Sequence, residues 1–249
     1  MYFKKIEYLI KMQSSKLKIP NIYARDVATI LGINPYQTAY ELLEEKVEKK
    51  HPFFGNKFTD HGNRYESQAI RSFEKNIVED IVNVDSIVSN LYNMKHPEIE
   101  WLTGRLDGIM EINQEVYDNE PDMKKRKRVI RKTQCVLEIK CPLKADRTEP
   151  LTKNNVPLHY WSQCQVYMNM IDCDYGYYVE YYIKPDDVEE NAKLYYVKIN
   201  RDRHWWDTII PKIKLFREEM IKYSKLGNLE THPVRIMENQ WKSNFDIHL

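Results

Sequence analysis

The stretch from Val136 to Pro142 constrains the fold of this chain more than any other segment. Side chains alternate between the two faces of a β-strand, so Glu138 and Lys140 share one face while Leu137 and Ile139 point into the core. The final proline ends the strand, because it has no backbone N–H for a neighbouring strand. The segment therefore predicts a strand that carries a carboxylate and an ammonium group next to each other at its end.

A second carboxylate, Asp107, lies thirty-one residues before Glu138, in a mostly apolar segment that is predicted to be a strand. The extended segments Trp101–Ile112 and Arg131–Lys140 flank a polar stretch, which predicts an antiparallel hairpin with a long tip at residues 113–132. Such a hairpin brings Asp107 beside Glu138. Two simpler interpretations stay open: Glu-x-Lys on a strand is commonly a solvated salt bridge, and an aspartate before glycine is commonly a turn residue.

Two carboxylates and a lysine at the end of a strand suit metal-dependent hydrolysis of a phosphodiester. Close carboxylates repel each other, and a divalent cation removes that cost. Mg²⁺ takes oxygen ligands at about 2.0–2.1 Å and commonly uses one or two carboxylates with waters and phosphate. The predicted ligands of Mg²⁺ or Mn²⁺ are Asp107, Glu138 and the backbone carbonyl of Ile139. Lys140 is then placed to orient the attacking water or to stabilise charge on the phosphate.

Composition bounds the class of protein. The chain has 249 residues, of which 42% are hydrophobic and 30% charged, as in a globular domain. No apolar run attains the roughly 18–20 residues of a membrane helix, and the first residues are charged, so an intracellular protein without a membrane partner is expected. The net charge of +1 gives no overall attraction to nucleic acid. Binding to DNA therefore requires a local basic cluster.

The order of periodic segments predicts a single α/β domain over residues 1–249, with a central mixed β-sheet flanked by helices. Its core spans residues 20–225, and residues 226–249 are expected to form a C-terminal tail. Helices are predicted at Ala24–Leu31, Gln37–Lys50, Asp60–Ile77 (with Asp60 as N-cap), Pro157–Ile171 and Arg201–Lys225. Strands are predicted at Ile81–Val88, Trp101–Ile112, Arg131–Lys140, Tyr175–Ile183 and Leu194–Ile199.

Five blocks of the sequence are Ile22–Arg25 with Leu31–Tyr36, His61–Glu66, Thr103–Gly108, Leu137–Pro142 and His159–Gln165. In this order they resemble the YqaJ-type viral recombinase family, which includes phage lambda exonuclease and belongs to the PD-(D/E)XK nuclease superfamily. Each block is weak alone, but five in the family's order are specific. With the similar segment Val197–Asp202 and the long helix after it, the resemblance covers residues 20–220.

The resemblance implies a metal-dependent DNA exonuclease that hydrolyses phosphodiester bonds at duplex ends, in the 5′→3′ direction, in recombination or replication repair. It implies double-stranded DNA ends as the substrate, and a single-strand annealing protein and a homo-oligomer as candidate partners. The expected location is the cytoplasm, or the nucleus or cytoplasm of a host cell for a viral protein. Two rival functions stay open: an endonuclease of the same fold, and an inert DNA-binding protein on a nuclease scaffold.

For individual residues, the resemblance implies a metal site formed by Asp107, Glu138 and the Ile139 carbonyl, with Lys140 as the catalytic lysine. Glu66 is implied to approach the metal from its helix, directly or through water. Gln163 is implied to orient the active site or the scissile phosphate. The alternatives are a surface helix acid for Glu66, and for Gln163 a buried amide that fastens a helix to a strand.

The DNA end is the second region for which the resemblance implies residues. In the family a basic residue and a small hydroxyl residue near the first helix hold a 5′-phosphate, and here Lys18 and Arg25 occupy those positions. They predict a more basic pocket, because a guanidinium can hold two phosphate oxygens and helix N-termini favour anions. The alternative is that Arg25 is a surface residue paired with Asp26 or Glu41.

The hairpin tip carries the strongest local charge, the basic run Lys124, Lys125, Arg126, Lys127 and Arg128. A run of like charges is commonly a solvated loop. In a nearly neutral protein it is also the feature that a DNA-backbone contact requires. A nuclear localisation signal is the third interpretation.

The four cysteines, Cys135, Cys141, Cys164 and Cys173, form no CxxC pair. An intracellular chain of this size needs no disulfide, so ordinary reduced thiols are expected. The alternative is an iron–sulfur cluster, which some nucleases of the superfamily carry on closely spaced C-terminal cysteines.

Overall fold

The computed structural model describes residues 19–50, 54–80, 84–118, 121, 123–144 and 149–245. The strands are β1 (Ile22–Tyr23), β2 (Val84–Lys95), β3 (Leu102–Tyr117), β4 (Arg128–Lys140), β5 (Tyr175–Tyr182) and β6 (Lys193–Asn200). The helices are α1 (Asp26–Ile30), α2 (Ala39–Glu48), α3 (Lys57–Asp80), α4 (Leu158–Met170), α5 (Arg203–Leu226) and α6 (Pro233–Phe245), with a short 3-10 turn at Glu189–Asn191.

The strands form one mixed sheet. β3 and β4 are antiparallel, β4 and β5 are parallel, and β5 and β6 are antiparallel. β2 pairs antiparallel with β3 from Val84 to Lys95, and β1 pairs parallel with the start of β3 through two residues. The expected hairpin of β3 and β4 is therefore present, and it supplies the centre of the sheet.

Helices cover both faces of the sheet. On one face, α1, α2, α4 and α5 pack around a core that includes Val136 and Tyr178. On the other face, α3 packs its apolar side against Leu137 and Ile139. Because both faces are covered there, β4 is buried and mostly apolar from Cys135 to Ile139, whereas most of its residues from Arg128 to Gln134 are exposed. The predicted fold class, an α/β domain with a central mixed sheet flanked by helices, is confirmed.

The predicted helices and strands are present, with different bounds. α3 begins at Lys57 rather than at Asp60, because the side chain of Asn56 accepts hydrogen bonds from the backbone N–H groups of Phe58 and Thr59 at 2.9 and 3.1 Å. α1 is limited to five residues, and the first strand after α3 runs over Val84–Lys95 instead of Ile81–Val88. Residues 81–83 of that prediction lie outside the described part of the chain.

The hairpin tip is shorter than predicted. β3 and β4 stay paired as far as Tyr117 and Arg128, so the expected tip at residues 113–132 is wrong at both ends. In sequence, residues 118–127 separate the two strands, and Arg128 already belongs to β4. Residues 113–117 and 128–132, six of which are polar, form strands here because their backbones pair with each other, and pairing does not require an apolar side chain.

The C-terminal segment is not a tail. α6 occupies Pro233–Phe245, which corrects the expectation for residues 226–249. Arg235 binds the Tyr40 hydroxyl through Nε at 2.8 Å, and its guanidinium pairs with Glu44 and Glu48 of α2. Such long-range contacts cannot be read from a short polar segment. None of the helices in the described residues is long and apolar enough to cross a membrane.

Candidate active site

The candidate site lies at a gap along one edge of β3. β2 pairs with one edge of β3, while β1 and β4 pair with the other edge, β1 at residues 102–103 and β4 from Gly108 onwards. Residues 104–107 on that second edge have no partner strand among the described residues. Asp107 lies at the end of this gap, and its Oδ2 accepts a hydrogen bond from the backbone N–H of Ile139 at 2.8 Å. The side chain thus joins the two strands where they part.

Glu138 and Lys140 face the gap from β4. Glu138 is fully buried, and the Lys140 ammonium donates hydrogen bonds to its Oε1 and, at 3.1 Å, to the carbonyl of Ile139. The same ammonium lies 3.9 Å from Asp107 Oδ2. The predicted proximity of the two carboxylates and the lysine is therefore present in the structure.

Burial dominates the electrostatics of the site. It raises the pKa of Glu138 to about 8; the charge of Asp107 raises it as well, while Lys140 lowers it. Burial lowers the pKa of Lys140, but the charges of Glu138 and Asp107 and the hydrogen bond to Glu138 leave it above its ordinary value. The lysine therefore stays protonated, yet it does not offset the cost of burying the Glu138 carboxylate.

The site fits a cation. In the described part of the chain, Glu138 Oε2 is buried and has no hydrogen-bond partner, which is costly unless another group binds it. Asp107 and the Ile139 carbonyl supply further oxygen atoms close to it. Among the described residues, no three His, Cys, Asp or Glu side chains converge on one point. The donors are therefore two carboxylates and a carbonyl, a set that suits an ion retaining water ligands.

Glu66 approaches the site from α3. Burial raises the pKa of Glu66, and the charge of Asp107 raises it too. Its Oε1 lies 3.9 Å from Arg105 Nη2, and its side chain is only 21% exposed. The carboxylate is thus partly enclosed and close enough to Asp107 to sense its charge, unlike that of an ordinary surface acid.

Gln163 lies on α4 and makes its hydrogen bond to Tyr167, whose hydroxyl oxygen accepts from Nε2 at 3.0 Å. Tyr167 in turn donates to the carbonyl of Arg105 at 2.7 Å, a group on the open edge of β3. The tyrosine fits there only because residue 104 is glycine: a Cβ atom on Gly104 would lie 2.5 Å from Tyr167 Cε1. Gln165, two residues further along α4, fastens the helix to the end of β6: its Nε2 donates to the Asn200 carbonyl at 2.9 Å, and its Oε1 accepts from the Asp202 N–H at 2.7 Å.

Tyr160 is a site residue that the sequence reasoning missed. The Lys140 ammonium lies 5.1 Å from the centre of the Tyr160 ring, within the range of a cation–π contact. Tyr160, Gln163 and Tyr167 are three and four residues apart, so they share one side of α4. That spacing was the signal that could have found Tyr160 and Tyr167.

The predicted DNA contacts are only partly described. Lys18 lies outside the described residues. Arg25 is 72% exposed, and its Nε lies 3.9 Å from Asp26, the partner named in the alternative interpretation. Residues 124–128 are exposed beside the turn between β3 and β4, at the opposite end of β4 from Lys140. The structure therefore brings neither Arg25 nor the basic run into contact with Asp107 and Glu138.

All four cysteines are buried free thiols. Burial raises the pKa of both Cys135 and Cys141 to about 12 and that of Cys173 to about 11. Protonated, enclosed thiols are poor nucleophiles and metal ligands.

The architecture defines a class. A mixed sheet whose central strands part, with two carboxylates and a lysine at the parting point, is the arrangement of PD-(D/E)XK nucleases. The fold is shared with an alkaline exonuclease, LHK-Exo from Laribacter hongkongensis (TM-score 0.55, 14% identity, 84% of this chain and 91% of that chain). It is also shared with a phage-related exonuclease from Haemophilus somnus 129PT (TM-score 0.52, 20% identity, 84% of this chain and 95% of that chain).

The family follows from the sequence. Residues 16–174 match the YqaJ-like viral recombinase domain. This match covers more than half of the chain, so the chain belongs to the YqaJ-like viral recombinase domain family. The resemblance carried by the five blocks is thereby confirmed. A search of curated proteins gave no match to the chain.

Proposed function

We propose that the chain is a metal-dependent DNA exonuclease that hydrolyses phosphodiester bonds at duplex ends. One observation carries the proposal: the buried Glu138, whose Oε2 has no hydrogen-bond partner in the part of the chain that the structure describes, lies beside Asp107 and Lys140 at the open edge of β3. A purely structural role does not account for it, because a buried carboxylate with an unsatisfied oxygen destabilises a fold. A cation-binding site for phosphate chemistry does.

Asp107, Glu138 and the Ile139 carbonyl would hold the metal. Mg²⁺ or Mn²⁺, when bound, polarises the phosphate and lowers the pKa of a bound water. With a metal bound, Glu138 would no longer need Lys140 as its counter-charge, and the ammonium would donate to the attacking water or to a phosphate oxygen. Tyr160 keeps the ammonium in place through its ring face. Water would attack phosphorus as the bond to the leaving oxygen breaks, and the leaving oxygen would take up the proton that the water loses. Glu66 would hold a water on the α3 side.

Support for DNA ends as the substrate comes from the family and from the proteins that share the fold. Both solved structures described above are exonucleases by name, and LHK-Exo was also solved in complex with dAMP (TM-score 0.55, 15% identity, 88% of this chain and 95% of that chain). Membership of a viral recombinase family supports a role in recombination. The 5′→3′ direction, and Lys18 with Arg25 as the contacts of the 5′-phosphate, are part of the same proposal.

A digestion experiment tests the function. Linear duplexes labelled at either end, and covalently closed circles, are incubated with the protein with Mg²⁺, Mn²⁺ or EDTA. The proposed exonuclease releases label from the 5′ end of linear DNA with metal, faster when that end carries a phosphate, and leaves circles intact. Cleavage of circles would instead identify an endonuclease. DNA binding without any cleavage would identify an inert DNA-binding protein.

Lys140→Ala is expected to lower kcat by about 10²–10³-fold, with little change in KM, because the ammonium acts on the water or the transition state. The affinity of the site for metal should stay the same or increase, since Asp107 and Glu138 no longer pair with the Lys140 ammonium. Steady-state digestion of linear DNA and calorimetric titration with Mn²⁺ measure the two effects. A change confined to KM would reassign Lys140 to substrate binding.

Replacing Lys124, Lys125, Arg126 and Lys127 by glutamine is expected to weaken DNA binding and to flatten its salt dependence. Each lost phosphate contact removes about 0.9 from the slope of log K against log salt on duplex DNA. Binding of a labelled duplex in EDTA, measured over a range of salt concentrations, gives the slope. An unchanged slope would show that the run is a solvated loop.

A further inference from the structure

We propose that Tyr36 stacks on a nucleobase of the DNA strand that enters the site of Asp107 and Glu138, and that this contact determines the affinity for the substrate end. The inference rests on the proposed nuclease function and assigns a residue that grips the substrate beside the catalytic groups.

Hydrogen bonds of Asn34 hold the backbone of Tyr36 in the turn before α2. Asn34 donates from its side-chain amide to the hydroxyl of the buried Thr29 at 2.7 Å, and its Oδ1 accepts from the Tyr36 N–H at 3.0 Å. Pro35 between them has a fixed φ angle. Residue Tyr36 is nevertheless 81% exposed, so the turn presents an aromatic side chain that the core does not use.

A series of ring contacts connects Tyr36 to the catalytic lysine. The rings of Tyr36 and His159 have centroids 5.8 Å apart and an interplanar angle of 89°. His159 lies 4.1 Å from the Tyr160 ring, and Tyr160 lies 5.1 Å from the Lys140 ammonium. Because a DNA strand advances about 3.4 Å per nucleotide, these contacts place Tyr36 within about four nucleotides of a phosphate bound beside Lys140.

The occupant that fits Tyr36 is a base rather than an apolar protein surface. Single exposed aromatic side chains are common and carry no meaning by themselves. Here the ring contacts run from Tyr36 to the Lys140 ammonium, which is proposed to bind phosphate. Sites for single-stranded nucleic acid combine an aromatic side chain with a positive charge in the same way. The T-shaped contact with His159 covers little of the Tyr36 ring, and the high exposure of Tyr36 leaves room for a base to stack on it.

Tyr36→Ala is therefore expected to raise KM for linear DNA about 5- to 100-fold while kcat changes by less than about twofold. Tyr36→Trp should keep KM near the wild-type value, because stacking needs the ring and not the hydroxyl. Leu215→Ala is the matched control: Leu215 is 65% exposed on α5, and its loss should change neither constant. The melting temperatures of all three variants should equal that of wild type.

A second measurement reads the stacking directly. Duplexes with 2-aminopurine at each of the four terminal positions are bound to the Asp107→Asn variant, in which cleavage is expected to be at least about 10³-fold slower. The 2-aminopurine at one position should lose fluorescence on binding. This loss should disappear in the double variant with Tyr36→Ala and persist in the double variant with Tyr36→Trp. Wild-type KM and unchanged quenching in Tyr36→Ala would overturn the proposal while leaving the nuclease function standing. A wild-type protein that neither binds nor cuts DNA would overturn the function itself.

Discussion

Asp107→Asn and Glu138→Gln are each expected to lower DNA cleavage by about 10³-fold or more, because each removes a charged ligand from a site that acts as a unit. Both changes keep the shape of the side chain, so the fold should persist. The amide introduced by Asp107→Asn retains an oxygen that can accept from the Ile139 N–H. The measurement is single-turnover digestion of an end-labelled linear duplex in Mg²⁺ and in Mn²⁺.

The stability of Glu138→Gln separates a metal site from a structural ion pair. Burial raises the pKa of Glu138 from an ordinary 4.5 to about 8, so the folded state favours the protonated form. Without metal, the wild-type carboxyl therefore costs stability that is absent below pH 4.5 and grows as pH rises towards 8. In EDTA the variant should be as stable as wild type at low pH and more stable at neutral pH. Urea unfolding at several pH values measures this difference.

Glu111→Gln is the control for both measurements. Glu111 lies on β3 four residues beyond Asp107, where it accepts from the side chain of Gln134 at 3.0 Å, away from the gap. Its loss should leave cleavage unchanged. Cleavage at the wild-type rate by either Asp107→Asn or Glu138→Gln would contradict the proposed site. A strong loss of stability in Glu138→Gln at neutral pH in EDTA would show that the carboxylate serves the fold rather than a cation.

The charged end of β4 could be predicted from sequence because the rules that govern it are local. Alternation along a strand places Glu138 and Lys140 on one face, and the apolar run requires cover on both faces. The hairpin that brings Asp107 to Glu138 follows from two extended segments around a polar stretch. These features need no knowledge of distant residues.

The gap in the edge of β3 could not be predicted in the same way. It exists because β1 ends after two residues and β4 pairs with β3 only from Gly108, which are facts about register between distant segments. Tyr167 bonds the open edge at Arg105, and Gly104 makes room for it. In the sequence these were an aromatic residue on a helix and a glycine in a strand, with nothing to show that they meet.

A buried pair of charges was the second feature that could not be predicted from the sequence. Lys46 follows Leu42 and Leu43 at helical spacing, so it belongs to the inner side of α2, although a lysine there is expected to lie in water. The structure shows why it does not: its ammonium lies 2.7 Å from Asp26 Oδ2, with only 6% and 7% of the two side chains exposed. Only the fold of α1 against α2 brings the two charges together.

Lys46→Met is expected to lower the free energy of unfolding by about 3–5 kcal/mol, because it removes the buried counter-charge of the Asp26 carboxylate. The Arg25 Nε, 3.9 Å from Asp26 on a side chain that is 72% exposed, replaces it poorly. The Tyr23 N–H, which donates to Asp26 at 2.8 Å, remains but cannot neutralise it. The ammonium also lies 4.4 Å from the centre of the Tyr23 ring, so its removal loses a second contact. A loss of this size is a large share of the roughly 5–15 kcal/mol that holds a typical domain together.

Asp26→Asn in the Lys46→Met background should recover part of the loss, since it removes the buried charge that Lys46 had balanced and keeps an acceptor for the Tyr23 N–H. Lys50→Met is the matched control: its ammonium lies 2.6 Å from Glu48 with 44% of the side chain exposed, so it should cost less than about 1 kcal/mol. Urea unfolding of the four proteins gives the comparison. Equal, small losses in Lys46→Met and Lys50→Met, or a double variant less stable than Lys46→Met alone, would mean that the buried pair does not hold α1 against α2.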